Sequence, residues 1–181
     1  ELERCILDLG LYGIRMNPIK KNYQFNNRTV VWPILTRLSE LQKETGRRLI
    51  VSVHAYGDSL NNSPEALAET ARQFPDLLFL MEHAAFVWGY GTVSDTAAVT
   101  QNLLLDLTTM PQFAVCYEAY LRYGPTKFTI GTDGPIATPN LKHAIVRDFC
   151  KTEEEAELVL GGNLARYWGL PKVDGRKGAI L

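Results

Sequence analysis

Cysteine, histidine and long apolar runs are all scarce in this chain of 181 residues, and each shortage closes off a class of answer. The three cysteines, Cys5, Cys116 and Cys150, are an odd number without metal-type spacing such as C-x-x-C, so they read as reduced thiols packed in a cytoplasmic protein. No apolar run approaches the roughly 20 residues that span a bilayer, so no membrane partner is expected. The opening Glu1-Leu2-Glu3-Arg4-Cys5-Ile6-Leu7 lacks the basic start and apolar stretch of a signal segment. It reads instead as the middle of an amphipathic helix, with the expectation that the chain continues upstream. Charge of one sign is also missing. The formal net charge is −1, and the 19 basic residues are scattered apart from Lys20-Lys21 and Arg47-Arg48, which leaves no stripe for a nucleic-acid backbone. No glycine-rich loop runs from strand to helix with phosphate-binding spacing, Gly161-Gly162 included.

What is present is the composition of a globular domain, with 46% hydrophobic and 22% charged residues. Apolar residues at helical spacing in 1–9 end at Gly10, and a strand follows at 12–16, stopped by Asn17-Pro18. Pro33 is expected as a first helical residue, with Ile34, Leu35, Leu38 and Leu41 on one face and Gly46 as the stop. Strand 48–53 precedes a helix opened by Ser63-Pro64-Glu65, with its cap, proline and acid in order. Strand 77–82, a short helix at 94–101 and strand 103–107 come next. A helix from Pro111 to Tyr123, strand 127–130 and helices at 139–149 and 152–168 complete the chain, the last opened by the Thr152/Glu155 capping box. Strand and helix alternate, so the expected fold is α/β: a parallel sheet covered by helices with right-handed crossovers. Five units are too few for an eight-stranded barrel of about 250 residues, which leaves an open doubly wound domain or the C-terminal part of a barrel.

His54, His83 and Asp133 each follow directly on an apolar run, and the carboxyl ends of parallel strands are where ligands and catalytic groups gather. A histidine after a hydrophobic strand is often only a hydrogen-bonded structural residue. Two of the chain's three histidines in that position, with a Gly-Thr-Asp-Gly-Pro turn at a third strand end, favour one shared site. Neutral imidazole and carboxylate suit a borderline divalent cation such as zinc at His54 and Asp133, which polarises a carbonyl or lowers the pKa of bound water to about 7. His83 is then placed for proton transfer, since an imidazole serves as acid and base near neutrality.

Other residues divide between site and scaffold. Arg15 either pairs with a substrate carboxylate or forms an internal salt bridge. Asp106 faces the site or caps a neighbouring loop. Asp58 is expected to be solvated, His143 to lie on the surface, and Arg166 to anchor the last helix. Trp88 and Tyr90 are expected in an aromatic loop walling a pocket, or in an oligomer contact.

In order, Gly13-Ile14-Arg15-Met16-Asn17-Pro18, Val53-His54, Pro75-Asp76-Leu77 with Glu82-His83-Ala84, Leu105-Asp106-Leu107, Gly131-Thr132-Asp133-Gly134-Pro135 and Gly162-Asn163-Leu164-Ala165-Arg166 run through nearly the whole chain. This succession resembles the amidohydrolase-related metal-dependent hydrolases, which include aminocarboxymuconate semialdehyde decarboxylase and the 2-pyrone-4,6-dicarboxylate lactonases. The resemblance implies a (β/α)8 TIM-type barrel of which residues 1–181 supply about strands four to eight, as a single domain. By the same resemblance, His54 matches the fifth-strand metal ligand and His83 the sixth-strand catalytic histidine. Asp133 matches the eighth-strand aspartate that binds metal or the attacking water and acts as base. The family's first-strand His-x-His pair has no counterpart in this sequence.

The expected activity is therefore metal-dependent hydrolysis of a lactone or amide-like bond in a small carboxylated substrate. His83 and Asp133 would be catalytic, Arg15 would bind substrate, and His54 and Asp133 would hold a divalent cation, zinc before manganese. Decarboxylation on the same metal is the alternative within the enzymes. A non-catalytic half barrel whose open sheet edges pair with another chain is the alternative outside them, and a homo-oligomer fits either.

Overall fold

The computed structural model describes residues 1–56, 59–85, 92–108, 114–135 and 138–171. Its centre is one five-stranded parallel sheet in the order β1-β2-β3-β4-β5, with β1 Gly13–Met16, β2 Ile50–His54, β3 Leu78–Glu82, β4 Leu103–Asp106 and β5 Phe128–Thr129. Neighbours in sequence are neighbours in space, so every connection carries the chain across one face, where the helices pack. The helices are α1 Val31–Thr45, α2 Pro64–Gln73, α3 Ala114–Tyr123, α4 Pro139–Phe149, α5 Glu153–Glu157 and α6 Asn163–Trp168.

Several starts and stops have a local cause. Ser63 accepts a hydrogen bond from Ala66 N at the head of α2, and Thr152 accepts one from Glu155 N at the head of α5. Gly46 ends α1 in the left-handed conformation, φ 65°, that glycine adopts without a Cβ clash. Two expectations are corrected here. Helix α1 begins at Val31 rather than Pro33, because Asn27 Oδ1 accepts from the amides of Thr29 and Val30 and satisfies the first turn earlier. The single helix expected over 152–168 is broken into α5, a π-helical turn at Leu158–Gly162 and α6. The break falls at Gly161, whose φ of 160° and ψ of −15° leave the helical region.

The alternation of a pleated strand sorts the sheet into two faces. Val51, Val53, Phe79, Met81, Leu103, Leu105 and Phe128 are fully buried beneath the helices and make the main core. The other face carries Arg15, Ser52, His54, Glu82 and Asp106 toward the strand ends, above an apolar layer of Leu78, Leu80 and Leu104. Helix α6 closes that layer from below with Leu164 and Tyr167. Apolar layers below and polar side chains at the carboxyl rim are the arrangement of a (β/α) barrel interior.

Candidate active site

The carboxyl rim is built from strand ends and from turns that depart from ordinary backbone. His83, Ala84 and Asp133 have φ of 62°, 40° and 53°, a left-handed region that costs a residue with a Cβ roughly 1–2 kcal/mol. Such conformations gather at functional sites, held by the surrounding fold. Gly131 makes the second turn feasible. A Cβ there would lie 2.5 Å from Thr108 Oγ1, so only glycine lets the chain pass over the turn after β4 on its way to Asp133.

His83 is 5% exposed, and its Nδ1 lies 3.1 Å from the carbonyl oxygen of Thr108. A carbonyl can only accept, so Nδ1 carries the proton and, in the neutral ring, Nε2 presents its lone pair. His54 meets His83 edge to face with ring centroids 5.0 Å apart, and Asn62 Nδ2 donates to the His54 carbonyl at 3.1 Å. Tyr56 lies parallel to His54 at 6.4 Å and edge-on to His83 at 5.2 Å, which brackets both imidazoles.

Glu82, the register partner of His54, sits behind them. Arg15 donates to it through Nε at 2.7 Å and Nη2 at 2.6 Å, and Ser52 Oγ donates at 2.6 Å. Burial alone would raise its carboxyl pKa. The hydrogen bonds from Arg15 and Ser52 outweigh that and hold it below the ordinary glutamate value. Asp106 is the opposite case: burial raises its pKa although Thr108 donates to it through N, at 2.7 Å, and through Oγ1. It caps the turn after β4, as one of the two expectations had it. Lys142 is buried on α4 with its ammonium pKa lowered by burial and opposed by Asp106 and Asp133.

Arg15, His54, His83 and Asp133 line one cavity of about 410 Å³, with Asn17 and Lys20 at its rim. Among the described residues, the one group of three metal-type donors within 4.8 Å of one another is His54, Glu82 and His83. Asp133 faces the same cavity from outside that group. Imidazole and carboxylate donors of this kind fit a borderline divalent cation.

A family described as amidohydrolase matches residues 1–170. The chain belongs to the amidohydrolase family. No curated protein matches the sequence. Among solved structures, 5-carboxyvanillate decarboxylase from Sphingomonas paucimobilis aligns with a TM-score of 0.66 at 15% identity, covering 94% of this chain and 62% of that one. A dihydroxybenzoic acid decarboxylase from a Polaromonas species, solved with manganese and the inhibitor 2-nitroresorcinol, aligns with a TM-score of 0.69 at 14% identity, covering 96% and 65%. A TIM-barrel protein from Bordetella bronchiseptica aligns with a TM-score of 0.68 at 22% identity, covering 91% and 59%. This amidohydrolase-family chain therefore has the α/β fold of a TIM barrel and spans less than two thirds of the length of these solved relatives.

Three residues of the site escaped the reading of the sequence. Glu82 was visible as a strand-end acid beside His83, but its bond to Arg15 reaches from β3 across β2 to β1. Lys142 had a signal, since it shares a helical stripe with Val146 and Phe149, both buried. Tyr56 lies beyond the strand, where no periodicity marks it. Arg166, expected as an anchor, is exposed, and its side chain makes no hydrogen bond or ion pair among the described residues. The anchor is Asn163, whose Nδ2 donates to Pro125 O at 2.9 Å and Phe128 O at 2.7 Å. His143 is exposed as expected, while Asp58, Trp88, Tyr90 and the helix start at Pro111 lie outside the described residues.

Proposed function

We propose that this amidohydrolase-family chain carries the rim of a metal-dependent enzyme that releases the carboxyl group of a small carboxylated molecule as CO2. The observation that carries the reading is the placement of one guanidinium, Arg15, in the same cavity as two imidazoles and Asp133. A guanidinium fork binds a carboxylate, and adjacent imidazoles supply cation binding and proton transfer. The decarboxylases among the solved relatives, one of them holding manganese, support this over hydrolysis alone.

His54 and Asp133 would hold the divalent cation, zinc or manganese. Bound there, such a cation withdraws electron density from the oxygen atoms it touches. Arg15 binds the carboxylate and fixes the substrate's orientation. As the bond to the departing carboxyl carbon breaks, its electron pair stays on the substrate carbon. His83, in the imidazolium form, gives the Nε2 proton to that carbon, while the Thr108 carbonyl keeps Nδ1–H in place and the ring aimed. Tyr56 shields the two rings from water on one side.

Hydrolysis of a lactone or amide-like bond is the second reading, favoured by Asp133. A carboxylate in the cavity that can orient and deprotonate a water is what hydrolysis needs, and decarboxylation does not use it in that way. The test is a panel of hydroxylated benzoates and of lactones, each incubated with the manganese-loaded chain. CO2 release from a benzoate supports the first reading, and lactone opening without CO2 transfers the assignment to the second. No turnover of either class by the loaded chain would leave the non-catalytic half barrel as the description.

A further inference from the structure

We propose that Glu82, braced by Ser52, is a positioning residue that locks Arg15 so that one edge of its guanidinium is presented to the cavity as a preformed seat for a substrate carboxylate. The inference rests on the reading of the cavity as one for a carboxylated molecule, and it adds how that recognition is built.

Three adjacent strands supply the parts at nearly one level. Arg15 of β1 is the register partner of Ser52 of β2, and Glu82 of β3 stands one step further toward the carboxyl rim. The Glu82 carboxylate takes three donors: Arg15 Nε at 2.7 Å on Oε1, Arg15 Nη2 at 2.6 Å on Oε2, and Ser52 Oγ at 2.6 Å on Oε1. Exposure falls in the order the role requires. The Arg15 side chain is 56% exposed and that of Glu82 is 12%, so the acid is the backing and the guanidinium the face.

A guanidinium has five N–H donors in a rigid plane. The Nε and Nη2 edge is spent on Glu82, and the Arg15 side chain makes no other hydrogen bond among the described residues. The Nη1 and Nη2 edge therefore remains for two parallel bonds to a second carboxylate, which need not displace Glu82. An arginine on its own loses side-chain freedom when it binds an anion. Here the fold has already removed that freedom, which is how preorganisation raises affinity.

The same geometry speaks against Glu82 as the third cation ligand beside His54 and His83, although its oxygens lie within 4.8 Å of donors on both. Its charge is already matched by Arg15, and both oxygens already accept hydrogen bonds. His54 Nδ1 stands 3.8 Å from Oε2, an approach that a positioned acid permits without ligation.

The experiment titrates the full 181-residue chain with benzoate in the absence of metal, and separately with manganese, by calorimetry. Glu82→Gln is expected to weaken benzoate about tenfold, the loss that follows when the ligand must order the arginine itself, and to leave the manganese affinity unchanged. Arg15→Lys, which keeps the charge and loses the fork, should weaken benzoate at least as much. Ser52→Ala removes a single hydroxyl and should weaken it less, in the same direction. It decides the matter if Glu82→Gln fails to fold by circular dichroism. Glu82→Gln that weakens manganese and spares benzoate overturns the proposal and makes Glu82 a ligand, and benzoate affinity unchanged across the variants overturns it equally. Wild-type chain that binds benzoate with this dependence but turns no carboxylate over refutes the proposed activity and leaves the seat standing. Wild-type chain that binds no benzoate removes the seat whatever the activity.

Discussion

His83 combines a left-handed backbone, near-complete burial and a fixed tautomer, and together these mark it as a residue the fold spends stability to hold. Asparagine tolerates that backbone region and lacks a titrating ring. His83→Asn is therefore expected to keep the thermal midpoint within a few degrees and to lower turnover by about a hundredfold or more, the usual loss of a general acid. Full activity in the folded variant removes the proton-transfer role. At this scale the sequence was informative about the two imidazoles and Asp133, since each ends an apolar run. It was silent about the pairing of Arg15 with Glu82, which depends on the stagger of three strands. It also left two readings of Arg15, salt bridge and carboxylate binder. The structure shows the salt bridge, and the proposed seat keeps both.

At the scale of elements, the strands and the starts of α2, α4 and α5 were legible because period-2 and period-3.6 patterns and caps are local. The break at Gly161 was not, because a glycine pair inside an apolar helical stripe does not itself say which residue leaves the helix. Two connections carry predictions. Gly131 passes over the turn after β4, and a Cβ there would meet Thr108 Oγ1 at 2.5 Å, an atom already committed to Asp106. Gly131→Ala should lower unfolding stability by about 1–3 kcal/mol in urea and weaken manganese binding by shifting Asp133; wild-type values for both would show that the close approach is relieved at no cost. Lys127 ties the start of β5 to the start of β4, its Nζ donating to Thr100 O at 2.6 Å and Leu103 O at 3.2 Å. Burial pushes its pKa from 10.5 down to about 8. The folded chain then releases this proton before the unfolded chain does, so the unfolded state binds more protons between about pH 8 and 10.5, and stability from this group rises with pH across that window. The wild-type urea midpoint minus that of Lys127→Met should be larger (more positive) at pH 9.5 than at pH 7.5; a difference that falls with pH contradicts the assignment.

On the scale of the whole molecule, five parallel strands in sequential order, with apolar layers beneath a polar rim, form part of a TIM barrel of the amidohydrolase family. The alternation of strands and helices made the α/β class readable, and the choice between an open sheet and a barrel needed the family resemblance. Among the described residues no helix is long and apolar enough to cross a membrane. All three cysteines are free, and burial pushes the Cys116 thiol up to about 12, so it packs as an apolar side chain. What the molecule is built around is the cavity where His54, His83, Asp133 and Arg15 converge from distant parts of the chain. Calorimetric titration of manganese into wild type, His54→Ala and Asp133→Asn tests that convergence most directly. The proposed site requires one saturable event per wild-type chain that is lost in His54→Ala and weakened in Asp133→Asn. Wild-type chain that takes up no cation, or both variants binding as wild type does, would contradict it.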